Sequence, residues 1–204
     1  IYPKNIFFFC KSASLHGGET PLCRSDHLYA ALLDEDPNLI MKFEENGVIY
    51  NSVMSNGDEL VSGQGRSWQK TLGVKSKQEA EIKLNVLGYN WNWIDGDNLS
   101  VTTKAFKAIK ELEDGNRSFF NQVLAASLGW KKNSKENLSP VRFGNGEEIP
   151  DSKIQIISEL AKSLTLLRQW EDKDILLIDN YRVKHGRKPF SGGKNREVLV
   201  SLTN

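Results

Sequence analysis

Apolar runs that read as β-strands sit at the two ends of this chain, and helical patterns fill most of the space between them. "NIFFFCKSA" (5–13) opens the sequence, and four short runs near its end cover 165–170, 175–178, 183–185 and 197–202. Compact runs rich in aromatic and β-branched residues mark buried strands. The middle carries amphipathic stretches: Leu28, Leu32 and Leu33 on one helical face, "PNLIMKFEEN", "SWQKTLG", "SKQEAEIKLNVLG" and "PDSKIQIISELAKSL". Ser25 and Asp26 read as N-cap residues, and Pro37 and Gly47 bracket the second helix. Strand patterns at 48–54 and 89–94 interrupt the helices; "SLHGGETPL" and residues 130–150 read as loop. "EDGNRSFFNQV" reads as a hairpin turn with a strand running to Asn121. Strands split in this way form one sheet system by pairing the two ends. The expectation is an α+β fold in one domain over 1–204, with core strands at about 5–13 and 165–203 and residues of about 22–164 as a largely helical insertion.

The bulk numbers narrow the function. The chain has 204 residues and 39% hydrophobic content, with 27 basic against 26 acidic side chains for a net charge of +1. That balance offers no basic field for nucleic acid or for a membrane surface. The cluster Lys131-Lys132-Asn133-Ser134-Lys135 is a short solvated loop. No apolar run is long enough to span a bilayer. Two cysteines, Cys10 and Cys23, fit a reducing, intracellular and cytoplasmic setting better than a disulfide framework. The start, "IYPKNIFFFC", lacks a signal-peptide cleavage pattern and reads as a chain entered in mid-domain.

Three elements stand out chemically. His185, in "DILLIDNYRVKHGRKPF", ends a core strand. A rigid strand fixes the direction of an imidazole, which suits a metal ligand and equally a hydrogen-bonded core histidine. Arg196, at the head of "REVLV", opens a strand read as buried and therefore requires an anion, either a ligand or a structural acid. In "HGGETP" the glycines let the backbone approach a ligand, and Thr20 offers a hydroxyl. His27 reads as a helix surface or packing residue. "GQGRS" (63–67) lacks the setting of a phosphate loop, and no CxxC, HExxH or GxSxG is present. A Ser-His-Asp set from Ser12 or Ser14, His185 and Asp179 has no nucleophile elbow.

Taken together, "YPKNIFFFC", "GGETPL", "GRSWQ", "FFNQ", "DILLIDNYRVKHGRKPF" and "REVLV" resemble, in order, the TauD/TfdA family of Fe(II)- and 2-oxoglutarate-dependent dioxygenases, in its clavaminate-synthase-like branch. The resemblance implies a double-stranded β-helix (jelly-roll) core with a helical insertion. It implies that His185 is one ligand of a two-histidine, one-carboxylate iron site. Arg196, assisted by Thr20, would bind the far carboxylate of 2-oxoglutarate, with O2 as the other cosubstrate. Its implied substrate is a small polar molecule, such as an amino acid, amine or sulfonate, that the enzyme oxidises, with hydroxylation the expected outcome. Asn121 matches a position at the active-site wall, and Arg187 faces the pocket mouth or braces its strand. The family's His-x-Asp/Glu pair lies just before the strand that starts here at Ile6, so the other two iron ligands are expected upstream of Ile1. His16 and Glu19 are spaced by three and lie after that strand, a poor match for the pair. The chain as given is therefore expected to be an inactive, N-terminally truncated oxygenase. The alternative is a metal-free binding or scaffold domain that keeps the fold.

Overall fold

A computed structural model of the chain describes residues 2–57, 66–130, 139–192 and 196–204. Gly65 of "GRSWQ", the rest of "GQG" and the Lys131–Lys135 cluster lie outside the described residues.

In chain order the strands and helices begin with β1 (Asn5–Ser12), β2 (His16–Gly17), β3 (Thr20–Arg24), α1 (Ser25–Glu35), α2 (Pro37–Asn46) and β4 (Val48–Met54). Next come α3 (Trp68–Leu72), α4 (Lys77–Leu87), β5 (Asn90–Ile94), β6 (Asn98–Thr102), β7 (Lys110–Glu111) and β8 (Arg117–Ser118). Then follow α5 (Val123–Gly129), β9 (Val141–Phe143), α6 (Asp151–Ser163) and β10 (Thr165–Arg168). The last are β11 (Ile175–Asp179), β12 (Val183–His185), β13 (Phe190–Ser191) and β14 (Glu197–Thr203). The residues divide into two compact units, one made of Ile1–Ile40, Ile109–Phe120 and Ile157–Asn204, the other of Met41–Ala108 and Asn121–Ile156.

The first unit joins the two ends of the chain. β1 is the centre of an antiparallel sheet ordered β11-β1-β14, and β3 is the centre of a second ordered β10-β3-β12. Period-2 alternation on β1 buries Ile6, Phe8 and Cys10 and turns Phe7 and Phe9 outward. The inward set forms one cluster with Trp170 and Ile178, and Leu22 of β3, Val183 of β12 and Val198 of β14 pack against it. The two sheets therefore share a core.

Three readings of the sequence change here. "SLHGGETPL" is not all loop, because Thr20–Arg24 is the central strand of the second sheet. Its proline is tolerated because Pro21 offers its carbonyl to the ladder, where Gly186 N–H donates to it at 3.3 Å. Strands β11 and β14, read as buried, leave Ile175, Leu177, Leu199, Val200 and Leu202 exposed. Both are edge strands, and a continuous apolar run does not tell how much of it the neighbours cover; Val200 and Leu202, opposite inward Phe8 and Ile6, are exposed too. The hairpin at 110–118 is present, but its second strand stops at Ser118, short of the expected Asn121, and α5 begins only at Val123.

Ser25 and Asp26 do not cap α1. The N-cap position is Arg24, without a side-chain cap bond. Asp26, 7% exposed at its side chain, pairs with Arg24 and stands 3.5 Å from Arg182 Nη1. Arg182 also reaches Asp114 at 2.7 Å and Asp179 at 3.4 Å, so this network ties the start of α1 to the β7–β8 turn and to the β11–β12 turn.

The second unit has its own antiparallel sheet, ordered β5-β6-β4-β9. Helices α3 and α4, capped by Ser67 and Ser76 and closed by left-handed Gly73 and Gly88, place Trp68, Leu72, Ala80 and Leu84 against Leu99 and Val101 of β6. The middle of the chain thus carries its helices on a small sheet that includes the strands read at 48–54 and 89–94 and adds β6 and β9.

Candidate anion and metal-ligand site

The site grows out of alternation on two strands. On β3, Thr20 and Leu22 share a face, and Leu22 lies in the common core. His185 of β12 pairs with Leu22, so it shows its imidazole to the same face. The ring meets Phe8 edge-on at 5.5 Å between centroids, and Phe8 in turn lies 6.3 Å from Trp170. Trp170 Nε1–H donates to the Thr20 hydroxyl at 2.8 Å. A continuous run of contacts therefore links His185 through Phe8 and Trp170 to Thr20.

Arg196 enters from the other sheet. It lies two residues before Val198, which pairs with Cys10 on the inward face of β1. Its Nε donates to the Gly18 carbonyl at 3.1 Å. Gly18 has φ +76, and a Cβ there would stand 2.9 Å from Arg196 Cδ and Nε. Only glycine lets the guanidinium come this close to the loop. His185, Thr20 and Arg196 each border the core of the first unit, the first two through Phe8 and Trp170 and the third through Gly18.

Burial acts on both Arg196 and His185. Burial lowers the Arg196 pKa below its ordinary value, and the nearby charge of Arg187 adds to that. The ion pairs among the described residues include neither arginine. His185 is exposed overall, yet desolvation of its ring lowers its pKa, against an opposing hydrogen bond with the Val183 backbone. A neutral imidazole is the form that ligates metal.

The fit to the implied groups is uneven. Thr20 is 2% exposed, accepts from Trp170 and keeps its own proton to donate; with a half-buried guanidinium it offers what a carboxylate needs. As donor types they suit a carboxylate. Iron fits less well: among the described residues no group of three or more His, Cys, Asp or Glu side chains could hold a metal ion. His16 and Glu19 therefore complete no such set. His16 pairs with Ser191 in the β2–β13 ladder, and the Glu19 carbonyl accepts from Lys188 N–H at 3.0 Å.

Asn121 belongs to the second unit. Its Nδ2 donates to the Ala108 carbonyl at 3.0 Å and its Oδ1 accepts from Val123 N–H at 3.1 Å, so it shapes the entry to α5. His27 is exposed on α1. Arg187 is exposed, with Cζ 5.9 Å from the centre of the Phe190 ring. Sequence reasoning missed Trp170, and it singled out the Gly17-Gly18 pair for a ligand's approach rather than for Arg196. The available signal for Trp170 was chemical: a buried indole N–H needs an acceptor, and Thr20 is one.

The family model described as "Taurine catabolism dioxygenase TauD, TfdA family" matches residues 1–202. The chain belongs to the TauD/TfdA family. It is similar to a clavaminate synthase-like protein of Arabidopsis thaliana, 32% identical over 202 residues, covering 98% of this chain and 61% of that protein. It is also similar to the dapdiamide synthesis protein DdaC of Enterobacter agglomerans, 28% identical over 219 residues, covering 99% of this chain and 61% of DdaC. The chain thus spans about three-fifths of the length of these curated relatives. Among solved structures it shares its fold with AAD-2 in complex with Mn(II) and N-oxalylglycine, at TM-score 0.53 and 13% identity, over 98% of this chain and 63% of AAD-2. A Burkholderia xenovorans chain described as an alpha-ketoglutarate dependent 2,4-D dioxygenase also has TM-score 0.53, at 15% identity, over 98% of this chain and 62% of that one. The TauD/TfdA resemblance read from six short motifs thus extends over almost the whole chain, and the fold is of the mixed α/β kind with antiparallel sheets. No helix among the described residues is long and apolar enough to cross a membrane.

Proposed function

We propose that this chain carries the cosubstrate-carboxylate subsite and one metal imidazole of an Fe(II)- and 2-oxoglutarate-dependent dioxygenase acting on a small polar molecule. The observation that carries the reading is the run His185–Phe8–Trp170–Thr20, with Arg196 bordering the same core. The paired sheets β11-β1-β14 and β10-β3-β12 support a double-stranded β-helix for that core. Family membership supports the reaction type, and the AAD-2 complex supports a divalent metal with a 2-oxo-acid-like ligand.

In this reading Arg196 and Thr20 grip the far carboxylate of 2-oxoglutarate. Trp170 orients the hydroxyl by taking one of its lone pairs, so the proton points to the ligand. Phe8 excludes water beside His185 and keeps the imidazole neutral. The metal, when bound, supplies the activation of O2 that side chains cannot perform. One imidazole from these residues does not retain Fe(II), because affinity follows ligand number and geometry. In this reading the described residues alone do not complete the metal site, and the amino acid, amine or sulfonate substrate class rests on family likeness.

The test is succinate release from 2-oxoglutarate with Fe(II), in a form of the protein long enough to include a His-x-Asp/Glu pair before Ile1. His185→Ala and Arg196→Ala should each lose at least about a hundredfold, the scale expected when a ligand or a charge-assisted contact is removed from a metal or oxyanion site. Turnover like the parent in both variants overturns the assignment.

A further inference from the structure

Main-chain hydrogen bonds extend the β12–β3 ladder beyond His185. The strands pair Val183 with Arg24, Lys184 with Cys23 and His185 with Leu22. Gly186 N–H then donates to the Pro21 carbonyl at 3.3 Å, and Lys188 N–H to the Glu19 carbonyl at 3.0 Å. Both bonds keep the same register, so Arg187 stands opposite Thr20. Residues opposite one another in an antiparallel pair show their side chains on one face. Arg187 is thus on the Thr20 face, the face of His185.

The next residues fix that position. Gly18 N–H donates to the Pro189 carbonyl at 3.0 Å, and Phe190 pairs with Gly17. Phe190 then shares its ring between two cations: Arg187 Cζ and Arg196 Cζ each lie 5.9 Å from its centre. Arg187 is one of the charges that act on Arg196, and no carboxylate is among them. Nearby Glu197 is engaged with Lys11 at 2.9 Å. Two guanidiniums on one ring repel each other, and an anion between them relieves that repulsion.

We propose that Arg187 is a second guanidinium of the carboxylate subsite, opposite Thr20 and beside Arg196, that makes the site select a 2-oxo acid with an anionic far end. The inference rests on the reading of Thr20 and Arg196 given above. Arg196, half-buried and tied to Gly18, fixes the geometry; Arg187, exposed, adds charge at the rim.

The test measures binding of 2-oxoglutarate and of 2-oxovalerate, which ends in a methyl group, to the full chain without metal, by calorimetry and by tryptophan fluorescence. The parent should prefer 2-oxoglutarate. Arg187→Gln should weaken 2-oxoglutarate about fivefold, as expected for a solvent-exposed charge contact, and leave 2-oxovalerate unchanged. The salt dependence of 2-oxoglutarate binding should fall with it. Arg187→Lys should retain most of the preference. Unchanged 2-oxoglutarate binding in Arg187→Gln, or equal weakening of both ligands, overturns this inference while loss of binding in Arg196→Gln leaves the subsite intact. If the parent shows no preference, or Arg196→Gln binds like the parent, the subsite reading falls and this inference with it.

Discussion

Trp170 and Thr20, 150 residues apart in sequence, are joined by a buried 2.8 Å hydrogen bond from the indole N–H to the hydroxyl oxygen. It holds the start of the second sheet's central strand against a residue just beyond β10, within the core shared by the two sheets.

Thr20→Val removes the acceptor while keeping the shape. The buried indole N–H is then left without a partner, which costs about 1–3 kcal/mol. The expected result is a lower urea midpoint with an unchanged slope, and Thr20→Ser should recover most of the loss. A valine variant as stable as the parent would show that the bond is not maintained in solution.

Gly18→Ala should separate positioning from folding. The new methyl would meet Ser14 Oγ at 2.5 Å and Arg196 at 2.9 Å, at a φ of +76 that alanine disfavours. Arg196 must shift, and affinity for 2-oxoglutarate should fall by about tenfold or more, the scale of losing a charge-assisted bond. Gly57→Ala, where a methyl meets nothing within 4 Å, is the control and should bind like the parent.

What could be read from sequence and what could not divides along physical lines. The histidine, the arginine and the threonine could be singled out because a buried or strand-end polar group needs a partner. The terminal strands were legible from their apolar runs. The Thr20–Arg24 strand was hidden by its proline and the glycines before it, since its ladder partners in β10 and β12 lie 142–163 residues away and leave no local trace. Asp26 looked like a cap because nothing nearby in sequence announces Arg182. Of the second unit's four-stranded sheet only β4 and β5 were read as strands; β9, inside the stretch read as loop, is too short to show alternation, and its partner β4 lies about 90 residues away.

The Asp26 network gives an acid-side prediction. The Arg24 guanidinium, with help from the His27 N–H, holds the Asp26 carboxyl at about 2, below its ordinary 3.8. A depressed carboxyl contributes stability that is fully present above the unfolded value and is lost as pH falls through the folded one. The loss should therefore fall between about pH 4 and pH 2, and amount to about 2 kcal/mol for this group. Asp26→Asn should lower stability at neutral pH by a similar amount and flatten the acid slope of the stability curve. An unchanged slope in that variant would move the acid sensitivity to other carboxyls.

The outward face of the first sheet makes the last prediction. Phe7, Phe9, Ile175, Leu177 and Leu199 alternate with the inward set and are all exposed, Ile175 at 73%. Contiguous apolar faces of this kind promote association, and the flanking edge strands β11 and β14 offer unpaired backbone to a neighbour. The 204-residue chain should self-associate at micromolar concentration and bind a hydrophobic dye. The double variant Ile175→Lys with Leu199→Thr should reduce both, with little change in the denaturation midpoint, because neither side chain contributes to the core cluster. Sedimentation of parent and variant at matched concentration decides the matter; identical association would show that this face is not the contact.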